Sequence, residues 1–317
     1  MTTSQLDDAT HDLLKQRVGA LHLRQRLGIE RDYEHRIFGQ GRTFFHVENW
    51  YSLRSIIRNS LRLVLLHGRA QRNARRIEVR HNHIRLTGLP DRFDNFTLLQ
   101  LSDLHIDMAE DFSHVLIEAV REVDYDLCVL TGDFRGDTYG PYEAALAGMR
   151  QLRSQLQGDV YAVLGNHDTI CMVPALEAMG IRMLLNEQVQ LQRDDQAIYL
   201  AGIDDPHYYR ADKIEKAGDS IPEGAASILL AHSPEIYRHA AHAGFDLMLC
   251  GHTHGGQICL PGGVPVMCNA GCPRDFCRGP WVYQDLQGYT SAGSGACVVD
   301  LRLNCPPEIT LHHLHCA

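Results

Sequence analysis

The chain has 317 residues, of which 44% are hydrophobic and 22% are charged, and this composition excludes an intrinsically disordered or collagen-like protein. Its formal net charge of −9 argues against a protein that coats nucleic acid through bulk positive charge, so no nucleic-acid partner is predicted. The 19 histidines and ten cysteines are many for this length, and both residue types bind metals, so a metal site is a hypothesis to test along the chain.

The charge is divided unevenly along the chain. Residues 1–95 hold 17 of the 30 Lys and Arg residues but only 10 of the 39 Asp and Glu residues. This part carries a net charge of +7, whereas residues 96–317 carry −16. We therefore predict a basic, mostly helical extension over residues 1–75 and a separate domain over residues 76–317.

Residues 50–76 contain seven arginines and no acidic residue, and Arg54, Arg58 and Arg62 recur at four-residue intervals that place them on one face of a helix. Such a helix has three interpretations: it lies on an anionic membrane surface, it packs on its own acidic domain, or, as the weakest of the three, it binds RNA. The longest aliphatic run there, Leu63–Leu66, is far too short to cross a bilayer. The start of the chain lacks a signal-peptide pattern, so we expect a cytoplasmic protein with reduced cysteines, at the inner face of the membrane if the first interpretation holds.

From residue 96 onward, short apolar runs alternate with helix-like stretches, which is typical of β-α-β units and predicts an α/β fold. The predicted strands are 96–101, 127–130, 160–164, 198–201, 228–231 and 245–249. The predicted helices are 113–123, 141–156 and 234–243.

Metal-ligand residue types come directly after five of these strands. In chain order they are Asp103 and His105, Asp133, Asn166, His232, and His252 with His254. Because ligands bind at the carboxyl ends of strands in open α/β sheets, we expect these side chains to share one cleft. Carboxylate, amide and imidazole groups make a mixed oxygen and nitrogen set that suits two divalent ions of Mn, Zn or Fe. Two such ions make a site locally positive, bind phosphoryl oxygens and convert water into a hydroxide nucleophile.

These motifs resemble those of the calcineurin-like metallophosphoesterase superfamily over roughly residues 96–312. The resemblance rests on Asp103-x-His105, Gly132-Asp133, Gly165-Asn166-His167-Asp168, His232 and Gly251-His252-x-His254. The stretches Gly251–Gln257 and Pro306–Ile309 are most similar to a bacterial phosphodiesterase branch with membrane-associated members, which also contains a UDP-2,3-diacylglucosamine pyrophosphatase. The resemblance implies a four-layer α/β/β/α sandwich.

The resemblance also implies roles for individual residues. One metal would be held by Asp103, His105, Asp133 and His254. A second would be held by Asp133, Asn166, His232 and His252. His167 resembles the family's histidine that is not a ligand and that assists the leaving group or the transition-state charge, and Asp168 would orient it.

Two features lie outside the family pattern. Arg135 follows the expected bridging carboxylate Asp133 and is a candidate to grip a second phosphate, with an ion pair to Asp137 as the alternative. Four cysteines after the last motif have spacings that match no standard zinc site, so we expect free thiols. They are Cys259, Cys268, Cys272 and Cys277.

The leading functional hypothesis is a dinuclear metal-dependent phosphoesterase that hydrolyses a phosphodiester or pyrophosphate by metal-activated hydroxide. Its basic N-terminal part favours an amphiphilic or membrane-borne substrate, such as a nucleotide-linked lipid of the UDP-2,3-diacylglucosamine type. The alternative is a phosphomonoesterase or protein phosphatase that uses the same site. A non-catalytic scaffold is the least favoured, because none of the predicted ligands is missing.

Overall fold

The computed structural model describes residues 7–38 and 51–317. Its helices are α1 (Asp8–Val18), α2 (Ala20–Phe38), α3 (Tyr51–Leu63), α4 (His67–Asn73), α5 (Phe112–Arg121), α6 (Glu143–Arg153), α7 (Val173–Ala178), α8 (Ile214–Gly218) and α9 (Tyr237–His242). Its strands are β1 (Glu78–Leu86), β2 (Thr97–Leu101), β3 (Leu127–Leu130), β4 (Val160–Ala162), β5 (Ile181–Met183), β6 (Glu187–Arg193), β7 (Gln196–Gly202), β8 (Ser227–Leu230), β9 (Leu247–Cys250), β10 (Cys259–Leu260), β11 (Val264–Pro265), β12 (Gly279–Tyr283), β13 (Leu286–Thr290) and β14 (Glu308–Cys316).

The six predicted strands are all present, as β2, β3, β4, β7, β8 and β9, with ends that differ by a few residues. The predicted helices 113–123 and 141–156 correspond to α5 and α6. The predicted helix 234–243 begins as a 3-10 turn at Pro234–Ile236 and continues as α9. Apolar runs bounded by turn residues were therefore sufficient to locate the centre of the fold.

The strands form two six-stranded mixed sheets and a separate hairpin of β10 and β11. The first sheet has the order β1-β14-β2-β3-β4-β5, with β2 to β5 parallel and β14 antiparallel to β2. The second has the order β12-β13-β9-β8-β7-β6, with a parallel centre and antiparallel strands at both edges.

The two sheets pack face to face through apolar side chains that include Leu98, Val129, Leu200 and Leu249. Helices α5, α6 and α7 cover the outer face of the first sheet through one apolar cluster. Helices α8 and α9 cover the outer face of the second sheet through another. The layers therefore run α/β/β/α, and the predicted four-layer α/β sandwich is confirmed.

Helices α1 and α2 pack on this sandwich. Leu14 and Leu23 belong to the same apolar cluster as the outer face of the first sheet. Arg26 is fully buried, pairs with Asp204 at 3.3 Å and lies 3.4 Å from the ring centre of Tyr209. The predicted boundary between an extension over residues 1–75 and a domain over residues 76–317 stays a prediction. Strand β1 begins near this boundary, but the helices before it contact the domain.

Helix α3 covers the predicted basic segment 50–76 in part. Trp50 and the side chain of Arg54 lie outside the described residues, and Arg58 and Arg62 are exposed. Leu61 is buried against an apolar cluster of the domain, as the second interpretation predicts. No helix among the described residues is long and apolar enough to cross a membrane.

The cysteines after the last motif differ from the prediction in one respect. Cys268 and Cys277 form a disulfide, so the expectation of free thiols was wrong for these two. Cys259 and Cys272 are free, as expected. The pairing was missed because nine residues separate the partners and the turns between them carry no recognisable spacing.

Candidate metal centre

The predicted ligands lie where the carboxyl ends of both sheets meet. In the first sheet, Asp103 follows β2, Asp133 follows β3 and Asn166 comes after β4. In the second, His232 follows β8 and His252 follows β9. All five are at most 4% exposed. The sandwich thus brings together residues that lie far apart in the sequence, as the position after each strand predicted.

One cluster comprises Asp103, His105, Asp133 and His254. The Nε2 atoms of His105 and His254 lie 3.1 Å apart. Nε2 of His254 is 3.4 Å from Oδ1 of Asp103, and Nε2 of His105 is 3.7 Å from Oδ2 of Asp133. Two imidazole nitrogens and two carboxylates therefore point at one small volume.

A second cluster adjoins the first through Asp133. Its Oδ2 lies 3.3 Å from Nε2 of His232, which is 2.9 Å from Oδ1 of Asn166 and 3.2 Å from Nδ1 of His252. The mutual proximity of Asp133, His232 and His252 is that of a three-ligand metal group, and the same holds for Asp103, His105 and Asp133. Because Asp133 belongs to both groups, the donor set fits two neighbouring divalent ions.

Hydrogen bonds behind the rings fix which imidazole nitrogen faces the centre. Nδ1 of His105 donates to the carbonyl of Arg135 at 2.8 Å, and Nδ1 of His232 donates to the carbonyl of Thr131 at 2.8 Å. In the neutral ring, each Nε2 then points inward with its lone pair. Outer hydrogen bonds of this kind orient histidine ligands and raise their basicity, so the rings are set to bind metal.

The backbone is strained at this centre. Five of the predicted ligand residues adopt positive φ angles, a region that costs non-glycine residues about 1–3 kcal/mol each. They are Asp103, His105, Asp133, His252 and His254. The close approach of the loops leaves no room beside them: a Cβ atom at Gly165 would overlap the Asp133 carboxylate, and one at Gly251 would overlap Ser102.

The electrostatics favour a cation beside Asp133. Burial alone would raise the pKa of its carboxyl, but His232 and other histidines lower that pKa well below its usual range. Burial would lower the pKa of His232, and Asp133 instead raises it to about 10. Burial lowers the pKa of His105 to about 4, so this imidazole is neutral and has a lone pair for a metal.

Comparison with known proteins identifies the group to which this architecture belongs. The sequence profile of the calcineurin-like phosphoesterases matches residues 96–256. The chain belongs to the calcineurin-like phosphoesterase family. It is therefore a metal-dependent phosphoesterase. Members of this family typically bind two metal ions, and the buried clusters of His and Asp residues are the candidate dinuclear site.

Three relatives illustrate the range of the family. The chain is 29% identical to the uncharacterized metallophosphoesterase YkoQ of Bacillus subtilis, over 78% of this chain and 93% of the relative. It is 26% identical to the phosphodiesterase YaeI of Escherichia coli, over 74% and 87%. It is also 30% identical to a bovine transmembrane protein with a metallophosphoesterase domain, over 70% of this chain and 53% of that protein.

His167 of this metallophosphoesterase lies beside the centre. Its ring centre is 4.9 Å from that of His105, and its Nδ1 is 3.3 Å from the hydroxyl of Thr138. Asp168, predicted to orient His167, instead accepts backbone N–H groups of Asp133 and Gly165 at 2.8 and 2.9 Å. The carboxylate of Asp168 therefore fixes the loops that carry the ligands, and the hydroxyl of Thr138 is one of the groups that contact the ring of His167.

Arg135 is placed differently from the prediction. It is 3% exposed, and its guanidinium donates to the carbonyl oxygens of His167, Thr138 and Gly140. These contacts commit both of its terminal nitrogens to loop carbonyls. They favour a role in holding the His167 loop over the predicted grip on a second phosphate.

Two residues near the centre were missed by the sequence reasoning. Cys297 groups with His105 and His254 within metal-binding distance, and its Sγ is 3.6 Å from Nε2 of His167. Arg302 is fully buried and donates to Nδ1 of His254 at 3.1 Å. Neither follows a predicted strand or belongs to a family motif, so no sequence signal pointed to them.

Proposed function

We propose that this metallophosphoesterase hydrolyses the phosphodiester or pyrophosphate bond of an amphiphilic substrate. The observation that carries the proposal is an apolar cavity that opens on the metal centre. The cavity has a volume of about 380 Å³, and His252 and His254 form part of its wall. An apolar group bound there would lie next to the reacting phosphoryl group.

The remaining walls of the cavity are mostly apolar, and three of the segments that form them lie far apart in the chain. Helix α3 contributes Ile57 and Leu61, the loop after β11 contributes Val266 and Met267, and the loop before β14 contributes Val299. A purely hydrophilic substrate would gain nothing from such walls, whereas each methylene group that is buried there contributes about 0.8 kcal/mol. The cavity thus favours a lipid-linked or otherwise amphiphilic phosphoester over a phosphopeptide.

We assign the ligands in two sets that share Asp133. Asp103, His105 and His254 complete one set, and Asn166, His232 and His252 complete the other. Two divalent ions of Mn, Zn or Fe bound there would stabilise phosphoryl oxygens and lower the pKa of a water molecule. The nitrogen and oxygen donors suit all three metals.

His167 is the side chain that we assign to the leaving-group oxygen. It is 4% exposed, and its backbone N–H donates to Oδ1 of Asp133 at 2.8 Å, which ties its position to the bridging carboxylate. Thr138 and Arg135 hold its ring and its backbone carbonyl, and Asp168 holds the same loop. We therefore treat these three as positioning residues and His167 as the catalytic one.

The phosphodiesterase part of the proposal is supported by the similarity to YaeI, which is named a phosphodiesterase. A nucleotide-linked glycolipid such as UDP-2,3-diacylglucosamine fits the proposed chemistry, because it joins a pyrophosphate to acyl chains.

A membrane surface is the proposed source of that substrate. Exposed apolar side chains near the cavity include Leu63 and Leu65 at 84% and 90% and Val266 at 64%. The arginines Arg58 and Arg62 of α3 are exposed as well, and exposed apolar and basic side chains suit a surface of acyl chains and anionic headgroups. The test is co-sedimentation with anionic and neutral vesicles. Binding that is equal for both, or absent from both, contradicts this part of the proposal.

The activity test compares four substrates in the presence of Mn²⁺. They are a nucleotide-linked glycolipid, a short soluble phosphodiester, a cyclic nucleotide and a phosphopeptide. We expect the glycolipid to have the highest kcat/KM. Faster hydrolysis of the phosphopeptide would favour the phosphatase alternative, and no hydrolysis of any of them by the metal-loaded protein would overturn the proposed function.

A pair of variants tests the cavity itself. Met267→Glu places a charge on its wall, and Val282→Glu places the same charge on an equally exposed position of β12 that does not line it. We expect Met267→Glu to raise KM for the glycolipid at least tenfold and to leave the short diester unaffected. Equal effects of the two variants would show that the cavity does not bind the substrate's apolar part.

A further inference from the structure

Four histidines outside the metal centre form a second cluster, on the outer face of the edge pair β1 and β14. We call it the histidine ladder, and its members are His81, His83, His313 and His315. The two strands are parallel, with His83 directly opposite His313. Because alternate residues of a strand share a face, the four rings lie on one side of the sheet.

The rings are in contact along the whole ladder. His81 and His313 are nearly coplanar, at an interplanar angle of 5°, and Nδ1 of His81 lies 3.0 Å from Nε2 of His313. His83 and His315 repeat this arrangement with the same pair of atoms, also at 3.0 Å. His313 stacks on His83 at 4.8 Å and joins the two pairs. The ladder thus consists of two rungs, each with two imidazole nitrogens face to face.

The spacing of each rung matches a shared metal ion. Two nitrogens bound at about 2.0–2.1 Å to one ion, at angles between square-planar and tetrahedral, lie roughly 2.9–3.4 Å apart. The observed 3.0 Å falls in that range. Without an ion the two rings of each rung meet head-on through one hydrogen bond, since their centres are 5.3 Å apart. A shared metal ion therefore requires both rings to turn until their lone pairs converge on it.

The surroundings orient the two β14 rings, one in each rung, for metal binding. Nδ1 of His313 lies 3.1 Å from the hydroxyl of Thr97, on the side of the ring away from the rung, so its Nε2 is the nitrogen that faces His81. Nδ1 of His315 faces the Asp94 carboxylate at 3.9 Å, again on the side away from the rung. A carboxylate behind the ring is a usual outer partner of a metal-binding imidazole.

The ladder is also open to solvent and to an incoming ion. His81 and His83 are exposed, and His313 and His315 are half-buried. Burial and the neighbouring imidazoles lower the pKa of His313, which keeps the ring neutral near pH 7. Water can complete the coordination sphere, since each rung supplies two ligands.

We propose that the histidine ladder is a binding site for a divalent late-transition-metal ion, separate from the dinuclear centre. Neutral imidazole ligands favour Cu²⁺, Ni²⁺ and Zn²⁺ over Mn²⁺ and Mg²⁺, with Cu²⁺ bound most tightly. The site does not depend on the proposed phosphoesterase substrate.

The test measures copper bound per chain in the full-length protein. Wild type is compared with His81→Gln/His83→Gln, which removes the β1 ligands, and with His313→Gln/His315→Gln, which removes those of β14. The control is His114→Gln/His242→Gln, which removes two exposed histidines of α5 and α9. Each protein is loaded with Cu²⁺, passed through a desalting column and analysed for copper and by electron paramagnetic resonance.

We expect wild type and control to bind at least one more copper ion per chain than either ladder variant, with a spectrum that shows nitrogen coupling at the additional copper. Circular dichroism checks that the variants are folded, and the two double variants test the same site from different strands. Equal copper content in wild type and a folded ladder variant would overturn the proposal, as would the same loss in the control.

Discussion

The hydroxyl of Ser102 donates a hydrogen bond of 2.6 Å to Oδ2 of Asp103, and this bond ends a buried series of side-chain hydrogen bonds that begins on β14, the strand beside β2. Thr131 donates to Ser102 at 2.7 Å, and Gln100 donates to Thr131 at 3.0 Å. His312 of β14 lies 2.9 Å from the amide oxygen of Gln100. Within this series the Gln100, Thr131 and Ser102 bonds are each donated toward Asp103.

From this series of hydrogen bonds we predict that residues without any metal contact influence the metal affinity. Ser102→Ala removes the last donor and frees the Asp103 carboxylate to turn, so we expect metal affinity to fall about 10–100-fold, as for other partners of metal ligands. The measurement is a competition titration with a chelator of known affinity. Ser113→Ala, at a buried serine of α5, is the control and should leave the affinity unchanged. Wild-type affinity in Ser102→Ala would show that the backbone N–H of His252, which donates to both Asp103 oxygens at 3.0 Å, holds the carboxylate alone.

We predict that the substitutions of Asp133 and His167 by alanine have different effects on metal content and on turnover. Asp133→Ala deletes the carboxylate common to both ligand sets, so metal content and turnover should both be lost. His167→Ala should keep most of the metal and reduce kcat about 10²–10⁴-fold, which is the usual contribution of a positioned proton donor. Metal content and kcat are measured on the same samples of each variant. Equal metal loss in both variants would refute the separate role of His167.

The sequence predicted the centre of the fold and most of the candidate site because both depend on local patterns. The strands before Asp103, Asp133 and His252 are short apolar runs, and glycines beside the ligands mark the tight turns. The contacts of Asp168 could not be predicted in the same way. Its carboxylate acts on loop N–H groups whose positions depend on how two neighbouring strand ends meet.

The edges of the sheets and the docking of the N-terminal helices were beyond the sequence patterns. Strand β1 carries alternating polar residues and lies at a sheet edge, so it has no apolar run, and its partner β14 is more than 200 residues away. His22 of α2 contacts Asp204 across 182 residues. Such contacts form between elements that no local sequence period relates.

Arg26 is predicted to join α2 to the catalytic loop. Its guanidinium lies between Asp204 and Glu30, at 3.3 Å from each, and Glu30 accepts from the hydroxyl of Thr169 at 2.6 Å. Arg26→Met leaves two buried carboxylates without their cation, so the free energy of unfolding should fall by about 3–5 kcal/mol. Urea unfolding measures the loss. Arg24→Met, at an exposed position of the same helix, should change the stability by less than about 0.5 kcal/mol. A similar small change in Arg26→Met would show that α2 is not coupled to the domain.

His312 is predicted to make the protein sensitive to acid. It is fully buried, and burial lowers its pKa from 6.5 to about 3. In the unfolded chain this histidine therefore binds a proton below about pH 6.5, whereas in the folded protein it does not bind one until about pH 3. The free energy of unfolding consequently falls as the pH drops through this window. From pH 7 to pH 5 the contribution of this residue amounts to a loss of about 2 kcal/mol.

The variant His312→Gln cannot take up that proton. At pH 7 it should be less stable than wild type, because the substitution disturbs the bonds to Gln100 and Asn82. Between pH 7 and pH 5, however, wild type should lose about 2 kcal/mol more of its free energy of unfolding than the variant. Urea unfolding of the metal-free proteins at both pH values measures the difference and excludes acid-driven loss of bound metal as its cause. His242→Gln, at an exposed site on α9, should keep the wild-type pH dependence. If His312→Gln keeps it as well, the acid sensitivity originates in other groups.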